Sequence, residues 1–247
     1  MKQKIGLKLV NFYSINFDLP ERKKNSIKFI IIHYTGMKKE SSALKKLCNP
    51  NSKVSAHYFI KNNGRVLNLV PDNYVAWHAG KSNWKKLNSL NKNSIGIEIN
   101  NPGHENGYKN FTKNQFISLK KLLKFLIKKY KINKKNVLGH SDVSPSRKKD
   151  PGEKFPWSLL AKEKICLWHK LKKSKIEKFR KIKLSNLDEN KFLKNLYRLG
   201  YVKVHKVEAK KSEKNLTNAF QRRFRQELIN GKIDRECLLI SNNLLKS

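Results

Sequence analysis

Seven histidines are spread along the chain, at positions 33, 57, 78, 104, 140, 169 and 205. Two stand apart by context. His33 closes the apolar run FIIIH, His140 closes NVLGH, and a loop follows each. The ends of strands are where an α/β sheet assembles its sites. Ten residues past His140, through a Pro- and Ser-containing loop, comes Asp150, followed at once by Pro151-Gly152. Two imidazoles and one carboxylate make a three-ligand set with a fourth position left for water, the pattern of a catalytic rather than a structural zinc ion. A structural zinc would want thiolates in close pairs, and Cys48, Cys166 and Cys237 form no CxxC. Nothing local of the HExxH kind ties the three residues together, so spacing alone leaves open that they are unrelated.

Glu98 is the next candidate. In NSIGIEIN (93–100), Ile95, Ile97 and Ile99 alternate with Gly96 and Glu98. This period predicts a strand that turns the carboxylate away from the isoleucine side. A lone carboxylate there would be costly to bury without a role or partner. Desolvation would raise its pKa and suit it to general-base work, while a nearby metal would act in the opposite sense. The alternative is an outward-facing strand carboxylate. Lys148 lies two residues before Asp150, where a cation can stabilise an oxyanion, although among so many lysines position alone says little.

These residues need elements to position them. Residues 27–33 read as a buried strand. Residues 56–61 and 65–70 flank Asn62-Asn63-Gly64, a hairpin signal. Residues 93–100 and 137–140 read as further strands. Thr112 to Gln115 has the form of a capping box, followed by a helical stripe of Phe116, Leu119, Leu122, Leu123, Leu126 and Tyr130. Shorter helices are expected over 41–48 and 157–172. The alternation predicts an α/β fold, a central mixed β-sheet flanked by helices. Beyond KKSKIEKFRKIK there are no strand signals. Helices are expected over 188–199, stopped by Gly200, over 212–226, and after Asp234 as a cap. The expected organisation is an N-terminal extension (1–24), a catalytic domain (25–171), a lysine-rich linker (172–184) and a small three-helix C-terminal domain (185–247).

The chain has 247 residues and a formal charge of +38. So large a charge steers polyanions at low salt. Only nine of the 56 cationic residues are arginine, however, the type suited to bidentate recognition of bases and phosphates. A generally basic, solvated surface is therefore expected, with no specific nucleic-acid partner. No apolar run reaches the roughly 18 to 20 residues a membrane helix needs. Three scattered cysteines exclude a disulfide scaffold. The start, MKQK followed by a stretch broken by Lys8, Asn11 and Asn16, lacks an apolar core and a cleavage site. A cytoplasmic protein is the simplest expectation, with a mature envelope or periplasmic form as the alternative. A monomer is expected.

Five segments come in order: FIIIHYTG (29–36), VSAHYFIKNNGRV (54–66), AWHAGKSNW (76–84), NSIGIEINNPG (93–103) and LGHSDVSPSRKKDPGEKFPW (138–157). Together they resemble the zinc-dependent N-acetylmuramoyl-L-alanine amidases of the type-2 amidase family, whose fold is shared with phage amidase lysozymes and peptidoglycan recognition proteins. The resemblance implies zinc ligands at His33, His140 and Asp150, a catalytic acid/base at Glu98 and a transition-state cation at Lys148. His57 falls where some relatives have a tyrosine lining the site. Trp77 and His78 fall in the turn that borders the substrate groove. The implied reaction is hydrolysis of the amide between the lactyl group of N-acetylmuramic acid, or its anhydro form, and L-alanine of the stem peptide. The implied partner is peptidoglycan or its muropeptides. Residues 218–245 resemble the three-helix peptidoglycan-binding module, with Cys237 where the pattern has Thr. The second reading is a non-catalytic peptidoglycan recognition protein. Some relatives of that kind lack a zinc ligand, and this chain keeps all three positions.

Overall fold

The computed structural model describes residues 9–202 and 209–246; the Met1–Lys4 start and His205 lie outside them. In chain order the strands are β1 (Leu9–Asn11), β2 (Phe17–Asp18), β3 (Phe29–Tyr34), β4 (Tyr58–Ile60), β5 (Val66–Asn68), β6 (Val75–Ala76), β7 (Asn83–Trp84), β8 (Leu87–Asn88), β9 (Ser94–Ile99) and β10 (Val137–Gly139). The helices are α1 (Glu40–Cys48), α2 (Lys113–Tyr130), α3 (His140–Val143), α4 (Trp157–Lys162), α5 (Lys173–Ile176), α6 (Asn186–Leu199), α7 (Ala209–Phe224) and α8 (Arg235–Leu245). The main sheet runs β1-β5-β4-β9-β3-β10. Strands β4, β9, β3 and β10 are parallel; β5 pairs antiparallel with β4, and β1 lies parallel to β5. The sheet is therefore mixed, as expected, and the Asn-Gly hairpin is its β4–β5 turn.

Alternation along the central strands sorts the two faces. Ile30, Ile32, Ile95, Ile97 and Ile99 pack against Leu119, Leu122, Leu123 and Leu126 of α2 and Trp157 and Leu160 of α4. The capping box holds the start of α2: Thr112 Oγ1 accepts from the Gln115 N–H at 3.1 Å and Gln115 Oε1 accepts from the Thr112 N–H at 2.9 Å. Such a cap contributes about 0.5–2 kcal/mol. Each buried leucine contributes roughly 1.5–3 kcal/mol, so packing rather than the cap decides this helix.

On the opposite face, Phe29, Ile31 and Leu138 share one core with Phe192, Leu196, Phe220, Phe224 and Ile240 of the C-terminal helices. Ala43 and Leu47 of α1 cover Phe59 and Leu67 farther along it. His33 continues the Phe29–Ile31 side, and Glu98 lies opposite it in register, between His33 and Phe59. The candidate residues thus sit where β3 and β9 run out, between α1 and the C-terminal helices.

Three local readings change. The helix expected over 157–172 ends at Lys162, and Lys164 takes a left-handed φ of 59°. Ile165, Cys166 and Leu167 are all buried, the first two in the α2 core and the third in the opposite one. A helix cannot bury three consecutive side chains into two separate cores, so the chain leaves the helix to pass between them. Within 172–184, α5 buries Ile176, and Arg180 donates to Glu236 at 2.7 and 2.8 Å. Residues 9–18 add β1 to the sheet and pair β2 with β6, while Asn16 Nδ2 donates to the carbonyls of Asn49 and Val54.

Candidate active site

Three donor atoms converge at the ends of β3 and β10. His33 Nδ1, His140 Nδ1 and Asp150 Oδ2 stand 2.9, 3.1 and 3.0 Å from one another, and all three residues are buried. His33 is the penultimate residue of β3. His140 opens α3 rather than closing β10, which stops at Gly139. Asp150 is tied back to α3 by its carbonyl, which accepts from the Ser141 N–H at 2.8 Å.

The hydrogen bonds behind the imidazoles fix their tautomers. Ser94 Oγ donates to the Leu90 carbonyl at 2.7 Å, so it must accept from His78 Nε2–H at 3.2 Å. His78 Nδ1 is then an acceptor and takes the His33 Nε2–H at 3.1 Å. His140 Nε2–H donates to the Ala79 carbonyl at 3.1 Å. A neutral imidazole has one N–H, so both Nδ1 atoms present lone pairs. Burial, then the neighbouring His140, lowers the His33 pKa to about 4 and keeps it neutral. Burial works to raise the Asp150 carboxyl, but His140 and His33 hold it below the ordinary range. Two lone pairs and a carboxylate oxygen therefore face one another with no proton between them. Donors 2.0–2.1 Å from a tetrahedral ion stand about 3.3 Å apart. The set fits a metal cation in both chemistry and size.

The three ligands open into a cleft of about 380 Å³, also lined by Trp77, Glu98 and Lys148. Glu98 Oε2 is buried without a hydrogen-bond partner. Burial, then the Asp150 charge, pushes its carboxyl up to about 8, against the pull of Lys148. An unpartnered carboxyl with a raised pKa, beside a cation site, has the placement and affinity of a proton acceptor. Lys46, Arg147, Lys148 and Lys149 make the same cleft strongly cationic.

The structure therefore gathers His33, His140, Asp150, Glu98, Lys148 and Trp77 around one space. It puts His57 elsewhere: the ring is fully buried, accepts from the Gly96 N–H at 3.0 Å through Nδ1, and donates to the Tyr74 carbonyl at 3.1 Å. It is not among the residues lining the cleft, where the resemblance led to a substrate contact being expected, and its hydrogen bonds tie it to β9 and to the Tyr74 carbonyl. His78 touches the cleft but is 8 % exposed, and both its nitrogens are committed behind His33. His78 thus lies beside the cleft, as expected, with its Nδ1 turned to the His33 ring. Gly96 makes room for that ring, since a Cβ there would lie 2.3 Å from His78 Cγ. Sequence reading missed Ser94 and the Ala79 carbonyl. The available signal was the turn AWHAG itself, whose consecutive residues 78 and 79 back one ligand each.

Two imidazoles and a carboxylate that could hold a metal ion, at the strand ends of a mixed α/β sheet and beside a carboxyl of raised pKa, have the make-up of a hydrolase site. Residues 23–153 match the family described as N-acetylmuramoyl-L-alanine amidase. The chain belongs to that family and is an amidase. It is 35 % identical over 232 residues to the N-acetylmuramoyl-L-alanine amidase AmiD of Escherichia coli, covering 89 % of this chain and 83 % of that protein. The structure of AmiD in complex with anhydro-N-acetylmuramic acid-L-Ala-D-γ-Glu-L-Lys superposes with a TM-score of 0.78 at 33 % identity, over 93 % of this chain and 92 % of that one. AMPDH3 from Pseudomonas aeruginosa in complex with anhydromuramic pentapeptide gives 0.78 at 30 % identity, over 93 % and 94 %.

Proposed function

We propose that this amidase hydrolyses the bond between the lactyl group of anhydro-N-acetylmuramic acid, or N-acetylmuramic acid, and L-alanine of the stem peptide, with zinc as its metal. The observation that carries the reading is the convergence of His33, His140 and Asp150 beside the unpartnered Glu98 carboxylate. When bound, zinc polarises the scissile carbonyl and acidifies a water molecule. The chain's own residues do the rest. His33 and His140 keep their lone pairs on the site because His78 and the Ala79 carbonyl hold their N–H groups. Glu98 accepts a proton from the attacking water and delivers it to the leaving alanine amine. Lys148 places positive charge beside the developing oxyanion. Trp77 donates Nε1–H to Asp18 at 2.6 Å, which holds its ring at the cleft wall as a substrate-facing surface.

The cationic rim suits a ligand bearing carboxylates, as stem peptides do, and both relatives described above are bound to anhydromuramyl peptides. Residues 185–247 are proposed to be a peptidoglycan-binding-like unit. None of the described helices is long and apolar enough to cross a membrane. The reading is tested by mass spectrometry of products from intact sacculi and anhydro-muropeptide offered side by side. Release of free stem peptide from at least one supports it. Binding without cleavage by zinc-loaded protein would establish the receptor reading instead.

A further inference from the structure

Asp142 stands two residues past His140 in α3 and is 1 % exposed. Its carboxylate is saturated from several directions. The Gly139 N–H donates to Oδ2 at 2.8 Å, the Tyr201 hydroxyl donates to Oδ1 at 2.7 Å, and Arg223 Nη1 donates to Oδ2. Arg223 Nη2 donates to the Val137 carbonyl of β10 at 2.9 Å, and the guanidinium lies 4.4 Å from the Trp157 ring centroid. Arg223 belongs to α7 and Tyr201 follows α6, so both reach in from the C-terminal helices. The turn they grip carries His140 directly and holds Asp150 through the Ser141 N–H.

We propose that Arg223 and Tyr201 are positioning residues for the metal site: the C-terminal helices clamp α3 through Asp142 and so keep His140 and Asp150 in ligand geometry. The inference rests on the metal reading above and extends it to a part of the chain outside the cleft. Removing Arg223 leaves a buried carboxylate without its cation. That carboxylate must rotate or recruit water, and the one-turn helix that bears it moves with it. Partners behind metal ligands typically change metal affinity by about 10- to 100-fold.

The test is zinc affinity of the full chain, measured by competition with a chromophoric chelator beside urea unfolding. Arg223→Met is expected to weaken zinc binding by about 10- to 100-fold. Tyr201→Phe is expected to give a smaller, measurable loss, and Arg223→Lys to recover most of the Arg223→Met deficit. Phe192→Leu, in the C-terminal core and not among the hydrogen-bond partners of Asp142, should lower the urea midpoint with zinc affinity unchanged. Wild-type affinity in a folded Arg223→Met protein overturns the clamp, as does an equal affinity loss in Phe192→Leu. Should Arg223→Met fail to fold, unchanged affinity in Tyr201→Phe overturns it in the same way. A wild-type chain that binds no zinc sinks the metal reading itself, a distinguishable result.

Discussion

Two buried polar clusters flank a single helical turn. On one side His33, His140 and Asp150 face one another; on the other Asp142 faces Arg223, Tyr201 and the Gly139 N–H. Both are as buried as the apolar core, yet their hydrogen-bond arithmetic differs. Around Asp142 every carboxylate oxygen meets a donor and the charge meets a cation. Around Asp150 the arithmetic does not close until a cation is supplied. Burial of charge thus marks neither function nor stability by itself. What separates the two clusters is whether the chain satisfies the charge from its own groups.

Predictions can be ordered by how hard they press on that difference. The largest effect belongs to the open cluster. Glu98→Gln removes the proton acceptor without changing shape, and turnover on muropeptide should fall by about 10²–10⁴-fold. Metal content, read by elemental analysis, should be retained. On the closed side, Arg223→Met breaks a buried ion pair and should cost about 3–5 kcal/mol in urea unfolding.

Gly96→Ala tests the support between the clusters and the cleft. Its new Cβ displaces the His78 ring, and zinc affinity should drop by about 10- to 100-fold. A wild-type affinity would show that His33 needs no such backing. The smallest expected effect is on pH. Burial, then the Arg22 charge, pushes His57 down to about 3 in the folded chain, against about 6.5 unfolded. Between those values the unfolded state binds more protons, so stability rises with pH and is lost as pH falls from 6.5 towards 3. The urea midpoint should drop between pH 7 and pH 5. His57→Gln should flatten that drop; an unchanged slope would place the titrating group elsewhere.

The open cluster was the more legible of the two. His33 ends an apolar run and Glu98 stands on the face opposite the isoleucines of an alternation, and both signals survive folding because strand period sets the side-chain direction. The expectation at His57 rested on the resemblance alone, with no strand period behind it; its ring accepts from the Gly96 N–H of the neighbouring strand. The C-terminal helices were legible as apolar stripes, and Gly200 and Asp234 do end and cap them. Their docking was not. Within the helix expected over 212–226, Arg223 and Arg225 are 3 % and 1 % exposed. No rule of hydrophobic pattern places an arginine inside, because its partners, Asp142 and Asp234, lie elsewhere in the sequence. The strand at 9–11 was missed for a related reason: three residues are too short for a period to show.

The span between Asp142 and Arg223 also has a meaning in time. The two are 81 residues apart, and a ribosome makes them in that order. Throughout that stretch of synthesis the turn after His140 has no cation to hold it. On the clamp proposed above, the nascent enzyme carries its complete ligand set early but holds the ion about 10- to 100-fold more weakly until Arg223, in the last quarter of the chain, is in place.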